Sequence, residues 1–412
     1  MTNEMRNVPE LRFPEFDGEW EEKKLGDIAD FTKGKLLGKK DLIDEGKYPC
    51  ILYGELYTKY GSIINDVVSR TNVNKDKLKK GSKNQILIPS SGETIEDIAT
   101  ASTLNTNKDV YIGGDLNILT PKEQDGKFIS LSLNGINKWN MAKLAQGKTV
   151  VHLYNNDIKT LNINLPHKMQ EQQKIGEFFS KLDRQIELEE QKLAKLEEQK
   201  KGYMQKIFSQ ELRFKDENGN DYPEWKEEKL NNVLEKIIDN RGKTPENNAT
   251  EIYPILEVNS LGNYYPKYKK VVKFVSEETY KTWFREHLKV NDVLFSTVGN
   301  TGIVSLMDNN KAVIAQNIVG LRLNYENEAA FLYYLLSYWE NQKKVKQIQM
   351  GAVQPSVKVS QFKYLKFFFP VKDEQRKISV FLTKFDKVFE NQSNKIEILK
   401  ERKKGFLQKM FV

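Results

Sequence analysis

Residues 171–208 read EQQKIGEFFSKLDRQIELEEQKLAKLEEQKKGYMQKIF, and residues 374–411 read EQRKISVFLTKFDKVFENQSNKIEILKERKKGFLQKMF. The second stretch repeats the first 203 residues later without a gap, and about 17 of about 38 aligned positions are identical. Self-similarity of this length means one structural plan used twice. Each copy carries two interleaved seven-residue series, the spacing of a coiled-coil seam. In the first copy they are Ile175, Leu182, Glu189, Leu196, Tyr203 and Phe179, Ile186, Leu193, Lys200, Ile207. In the second they are Ile378, Phe385, Gln392, Leu399, Phe406 and Leu382, Phe389, Ile396, Lys403, Met410. A helix with such a stripe needs a partner, and the nearest candidate is the other copy.

Two copies related by a pseudo-twofold pair antiparallel. Matching polarity along the seam predicts Glu189 against Lys403, Lys200 against Gln392, Leu193 against Leu399, Leu196 against Ile396 and Tyr203 against Phe389. A full-length register, shifted by one heptad, would set Lys200 on Phe385 and Leu182 on Lys403, and is disfavoured on that ground. Helices of this length span roughly 57 Å at 1.5 Å per residue and would form a stiff spacer.

The two halves of the chain also begin alike. Glu10-Leu11-Arg12-Phe13 is matched by Glu211-Leu212-Arg213-Phe214, and Trp20 by Trp225, each Trp preceding a charged run that ends in Leu. They approach their helices alike too, through a Gly, a polar stretch, a short alternating strand (161–165 and 365–369) and a Pro. The expected layout is therefore α/β (α+β): mixed domains at 1–165 and 211–369, and helical regions at 166–210 and 370–412. Strands are predicted at 85–89, 109–112, 292–296, 303–306 and 318–323, from β-branched and aromatic runs bounded by Gly, Asn or Pro. Helices are predicted at 137–144 and, as one element, at 329–349.

Composition bounds the function. Of 412 residues 30% are charged and 39% hydrophobic, and 65 basic against 57 acidic residues give a net charge of +8. That balance leans toward polyanions, and it equally suits a lysine-rich soluble surface. The apolar runs are far too short to span a membrane, the start lacks a signal peptide, and the single cysteine, Cys50, fits a reducing cytoplasm as a packed thiol. The three histidines, His152, His167 and His287, have neither zinc nor triad spacing. Gly147-Lys148-Thr149 and Gly242-Lys243-Thr244 lack the upstream Gly of a P-loop, and no G-x-G-x-x-G follows a strand.

What remains suits nucleic acid. Tyr264, Tyr265 and Tyr268 interleave with Lys267, Lys269 and Lys270; Tyr57, Lys59 and Tyr60, with Lys33, Lys35, Lys39 and Lys40, form a similar mixture in the first half. Lysines neutralise phosphates, and tyrosines pack on sugars or bases. Lys148, Arg241 and Lys243 join the basic candidates. Two polar turns offer groups for base edges: Ser90, Ser91 and Thr94, and Ser296, Thr297, Asn300 and Thr301, with Gln354 nearby in sequence. Ordinary turns use the same residue types.

Pro166 with Glu171-Gln172-Gln173-Lys174-Ile175, and Pro370 with Glu374-Gln375-Arg376-Lys377-Ile378, carry a family resemblance. The Lys-Gly pairs at 201–202 and 404–405, and 292–296 followed by Gly299, add to it. Over essentially its whole length the chain resembles the DNA specificity subunit of type I restriction-modification systems. The resemblance implies two target recognition domains, each reading half of a split, asymmetric site on double-stranded DNA, and helical regions that set the unread gap and dock partners. It implies a non-catalytic chain without a cofactor of its own. The partners would be two adenine-N6 methyltransferase subunits using S-adenosylmethionine, and restriction/translocase subunits using ATP and Mg²⁺. The first half departs from the family's Gly-polar-Gln-Pro run: it has Gly147-Lys-Thr-Val-Val151 where the second has Gly351-Ala-Val-Gln354-Pro355. The competing readings are a coiled-coil scaffold joining two protein-binding domains without DNA contact, and a self-contained nuclease or methylase.

Overall fold

The computed structural model describes residues 7–147, 149–240, 245–247, 252–308 and 310–412. The chain forms two compact units: Met1–Glu190 with Asn394–Val412, and Gln191–Ser393. The long helices are Met169–Phe208 and Lys372–Lys409, so each contributes one stretch to each unit.

Each unit is built on the same plan. The Trp lead-in becomes a strand paired antiparallel with the strand before the long helix: Glu21–Lys24 with Asn162–Leu165, and Lys226–Lys229 with Lys366–Phe369. The main sheet of the first unit runs Ala29–Lys33, Leu116–Pro121, Ile86–Pro89, Ser102–Leu104, Ile63–Ile64. In the second unit the order is Leu234–Ile238, Ile318–Leu323, Val293–Ser296, Val304–Leu306, the same without the last strand. A smaller sheet follows in both, centred on Tyr48–Ile51 and on Tyr253–Leu256. The central strands are buried throughout, which is why they read as continuous apolar runs.

One buried helix packs on each main sheet, Gly126–Asn134 and Ala329–Ser337. Aromatic rings join it to the lead-in Trp and to a Phe at the end of a long helix, Phe208 as the last residue of the first and Phe411 two residues past the second. Trp20 meets Phe128 at 5.4 Å and Phe411 at 6.2 Å; Trp225 meets Phe331 at 5.8 Å and Phe208 at 6.3 Å. The first unit is therefore closed by Phe411, from the end of the second long helix, and the second by Phe208, from the end of the first.

The repeated Glu-Gln explains itself at the joint. Glu171 and Glu374 are buried carboxylates, and a buried charge is tolerated only when paired. Each accepts a two-pronged guanidinium: Arg12 on Glu171 at 2.7 and 2.8 Å, and Arg213 on Glu374 at 2.8 Å twice. That contact raises the pKa of each arginine above its ordinary value. Gln172 accepts the Asp125 N–H and donates to the Pro166 carbonyl; Gln375 accepts the Glu328 N–H and donates to the Pro370 carbonyl. Asp125 and Glu328 are the N-cap residues of the two buried helices, so each Gln bonds the helix entrance. Ile175 and Ile378 complete the motif inside the two cores.

The helix stretches within each unit pair antiparallel, but the register differs from the expectation. In the first unit Asp183 pairs with Lys403 and Glu189 with Lys395 at 2.9 Å, and Phe178 meets Phe406. In the second, Lys200 pairs with Asp386, and Tyr203 packs on Phe381 and Phe385. This is the full-length register, and the expected Glu189–Lys403 and Tyr203–Phe389 matches are not made. The physical reason lies in the length of lysine. Its stem can lie along an apolar seam while the ammonium reaches a flanking acid, so the seam needs no polar partner there. Leu182, Ile186, Leu193, Leu196, Ile207, Phe385, Phe389, Ile396, Leu399, Phe406 and Met410 are buried or half-buried, and Tyr203 is 39% exposed.

The single helix expected at 329–349 is two, Ala329–Ser337 and Trp339–Gln347, broken at an extended Tyr338. Asn341 and Gln342 donate their amides to the Leu335 and Leu336 carbonyls, so the second helix supplies the partners that the first helix's end lacks.

Candidate nucleic-acid interface

The structure joins each polar turn to a glycine-turned hairpin. In the first unit, Val151-His152 pairs with Ser91-Gly92, Leu153 N–H donates to the Ser90 carbonyl at 3.1 Å, and Ser91 Oγ lies 3.2 Å from His152 Nδ1. In the second, Val357 N–H donates to the Thr297 carbonyl at 2.8 Å, Gly299 N–H to Pro355, and Gln349 Nε2 to Thr301 Oγ1. The hairpins turn at Gly147 (φ +121°) and Gly351 (φ +87°), where a Cβ would collide with the Val150 carbonyl and the Gln354 carbonyl respectively. Only glycine fits either turn. The second hairpin ends in Val353, fully exposed, and Gln354, also exposed.

Not every candidate presents a free group. Ser296 is fully buried; its Oγ donates to the Asn300 carbonyl and accepts from the Ile303 N–H. Ser90 and Thr297 are buried as well, so these three residues shape the turns and do not face solvent. Thr94 is exposed but caps the helix Ile95–Ile98. Tyr264 sits against Tyr333 and Tyr334 in the second core, and Tyr268 donates to Asp308 at 2.7 Å; burial raises the pKa of both. Tyr60 Oη accepts the Val68 N–H, and burial pushes its pKa up to about 12. Tyr57 is half-buried, and the Lys59 ammonium is held by Glu55 and Ser69.

Lys33, Lys35, Lys39, Lys40, Tyr265, Lys267, Lys269, Lys270, Asn300 and Gln354 are exposed, and Ser91 and Thr301 half-exposed. Lys148, Arg241 and Lys243 lie outside the described residues. Cys50 is a fully buried thiol whose pKa burial pushes to about 11, as a packed cysteine requires. His287 stacks on Tyr280, and burial lowers its pKa. Among the described residues no His/Cys/Asp/Glu cluster could hold a metal ion, and no helix is long and apolar enough to cross a membrane. Sequence reasoning missed Arg12 and Arg213 as partners of the repeated glutamates; their matched place in Glu-Leu-Arg-Phe was the available signal.

The sequence profile for the type I restriction modification DNA specificity domain matches residues 17–198 and again 222–401. The chain is 29% identical over 213 residues to a specificity subunit assigned to the MjaX type I restriction enzyme of Methanocaldococcus jannaschii, a match covering 50% of this chain and about half, 49%, of that relative. It is 23% identical to the MjaVIII type I restriction enzyme specificity subunit of the same organism, over 96% of this chain and 92% of the relative. The crystal structure of the M. genitalium type I restriction-modification S subunit shares the fold at a TM-score of 0.63 and 18% identity, covering 98% of this chain and 99% of its own. A chain from a structural study of type I complex assembly and conformational transition shares it at 0.55 and 16% identity, over 95% and 97%. The doubled joint, the doubled turn-and-hairpin and the doubled profile match agree: the chain belongs to the type I restriction-modification DNA specificity family.

Proposed function

We propose that each unit reads one part of a split, asymmetric duplex target, and that the long helices between the two readers set the length of the unread gap. The observation that carries this reading is the turn-and-hairpin, held by the same backbone bonds in both units yet offering different side chains: Ser91, His152 and Val150 in one, Asn300, Val353 and Gln354 in the other. Equal scaffolds with unequal tips are what two readers of unlike half-sites require. The exposed lysines hold the register on phosphates, and the tips face base edges. The chain itself is non-catalytic and binds no cofactor. Two methyltransferase subunits using S-adenosylmethionine carry out adenine methylation at the site, and restriction subunits using ATP and Mg²⁺ cut the DNA.

The test has two arms. Mapping methylated adenines in the host gives the split target, and a gel shift with the chain and its methyltransferase partner shows whether that duplex is bound. Replacing Lys267, Lys269 and Lys270 by Ala should weaken binding to every sequence and lower the log–log salt slope by about 0.9 for each phosphate left without its lysine. An unchanged slope removes these lysines from the phosphate-binding set. Binding that ignores sequence in the intact chain removes the reading itself.

A further inference from the structure

Leu36 and Leu37 both adopt left-handed backbone, at φ +51° and +59°. Side chains with a Cβ avoid that region, and two such leucines in succession persist only where the surroundings over-determine them. Here they do. Leu37 is buried beside Cys50, Leu52 and Tyr111. Gly34 N–H donates to Leu116, Lys35 N–H to Ile112, and Gly114 N–H to the Leu36 carbonyl. The loop lies so close to the Gly113-Gly114 turn that a Cβ on Gly34 would collide with the Gly113 carbonyl. Leu37 is the anchor, and Leu36 is held out in solvent, 53% exposed.

The flanks are cationic. Lys33 and Lys35 precede the pair, Lys39 and Lys40 follow it, and all four are exposed. Among the described residues none of their ammonium groups pairs with a carboxylate; the loop's own acid, Asp41, accepts the Gly38 N–H instead. An exposed apolar tip on a rigid, strained loop, with cations on both sides that no carboxylate neutralises and of which Lys33 alone lies over a ring, that of Tyr154, fits a polyanion that has an apolar interior. A stacked duplex flanked by phosphates is such a partner, and apolar wedges between base steps are a known way to hold one.

We propose that Leu36 is a wedge that unstacks one base step in the half-site read by the first unit, with Lys33, Lys35, Lys39 and Lys40 on the phosphates either side. This rests on the DNA-reading function proposed above. The test places fluorescent base analogues one at a time through both half-sites of the mapped target, bound by the chain with its methyltransferase partner. One position should brighten several-fold on binding, and Leu36→Ala should abolish that rise. Its binding should weaken by no more than about 60-fold, the worth of the three carbons that Leu36→Ala removes if all were taken out of water. Because Leu36 is exposed, the variant should keep the wild-type circular dichroism. A rise that survives in Leu36→Ala, or no rise anywhere on a bound duplex, overturns the wedge. So does loss of binding on replacing a thymine by uracil without any unstacking, which would make Leu36 a methyl-contact residue. A duplex that is not bound at all fails at the earlier step, overturning the DNA-reading function and the wedge with it.

Discussion

At one place in the main sheet the two units solve the same problem with different chemistry. The first puts Gln85 beside Thr120, Gln85 Nε2 donating to Thr120 Oγ1 at 3.0 Å. The second puts Asp292 beside Arg322, both buried, with guanidinium bonds of 3.0 and 2.8 Å. The positions are equivalent: they precede Ile86 and follow Leu119 in one pairing, and precede Val293 and follow Leu321 in the other. A neutral pair and an ion pair are thus alternative fillings of one slot. The duplication holds the joint constant, as the Arg12–Glu171 and Arg213–Glu374 pairs show. Sheet slots and tips are left free to change.

Asp292→Ala leaves a buried guanidinium half-paired and should cost about 3–5 kcal/mol in the second unit. The double change Asp292→Gln with Arg322→Thr installs the first unit's pair and should lie within about 1.5 kcal/mol of wild type. Chemical unfolding of the single and double variants measures both, and a double change as damaging as the single one would refute the equivalence.

The aromatic closures come next. Phe411 is buried at 3% exposure, whereas Phe208 is only half-buried. Phe411→Ala should cost about 3 kcal/mol, and Phe208→Ala roughly half of that. Hydrogen exchange should locate the loss of protection around Phe128 for the first and around Phe331 for the second. A loss of protection around the other helix in either variant would contradict the assignment of closures.

Gln172→Ala and Gln375→Ala should each cost about 1 kcal/mol, since each strands one backbone N–H at a helix entrance. Gln375 also donates to Asn327, so the second should be the larger when thermal midpoints are compared.

The smallest effect separates the units by pH. Lys236, then Arg322, hold the Glu286 carboxyl down to about 2, from 4.5. A depressed acid stabilises the fold fully above 4.5, and that contribution is lost as pH falls through about 2. Acid titration of Glu286→Gln should show a shallower loss in this window in the second unit alone. An unchanged titration curve would show that Glu286 contributes nothing there.

Much of the fold was legible. The repeat gave two units, β-branched runs such as 86–89 and 293–296 became strands, and the apolar seam residues other than Tyr203 turned inward in whole or in part. The register was not legible, because polarity matching along a seam cannot register that Asp183 and Asp386 stand beside it to receive lysines. The helix Gly126–Asn134 was hidden for another reason. Phe128-Ile-Ser-Leu-Ser-Leu133 alternates like a strand, yet it is buried all round, and burial on every side erases the helical period. Of the candidate interface, the exposed lysines and the glycine turns could be read directly. That Ser296 and Tyr264 face inward could not, since a hydroxyl looks the same in sequence whether it meets solvent or a backbone carbonyl.

Phe411 also sets an order of events during translation. The second unit occupies an unbroken run, Gln191–Ser393, while the first requires Asn394–Val412 in addition to its N-terminal residues. On a ribosome the later-encoded unit therefore has all its residues available first. The earlier-encoded unit waits, with Trp20 and Phe128 uncapped, for a ring that emerges more than half a chain later.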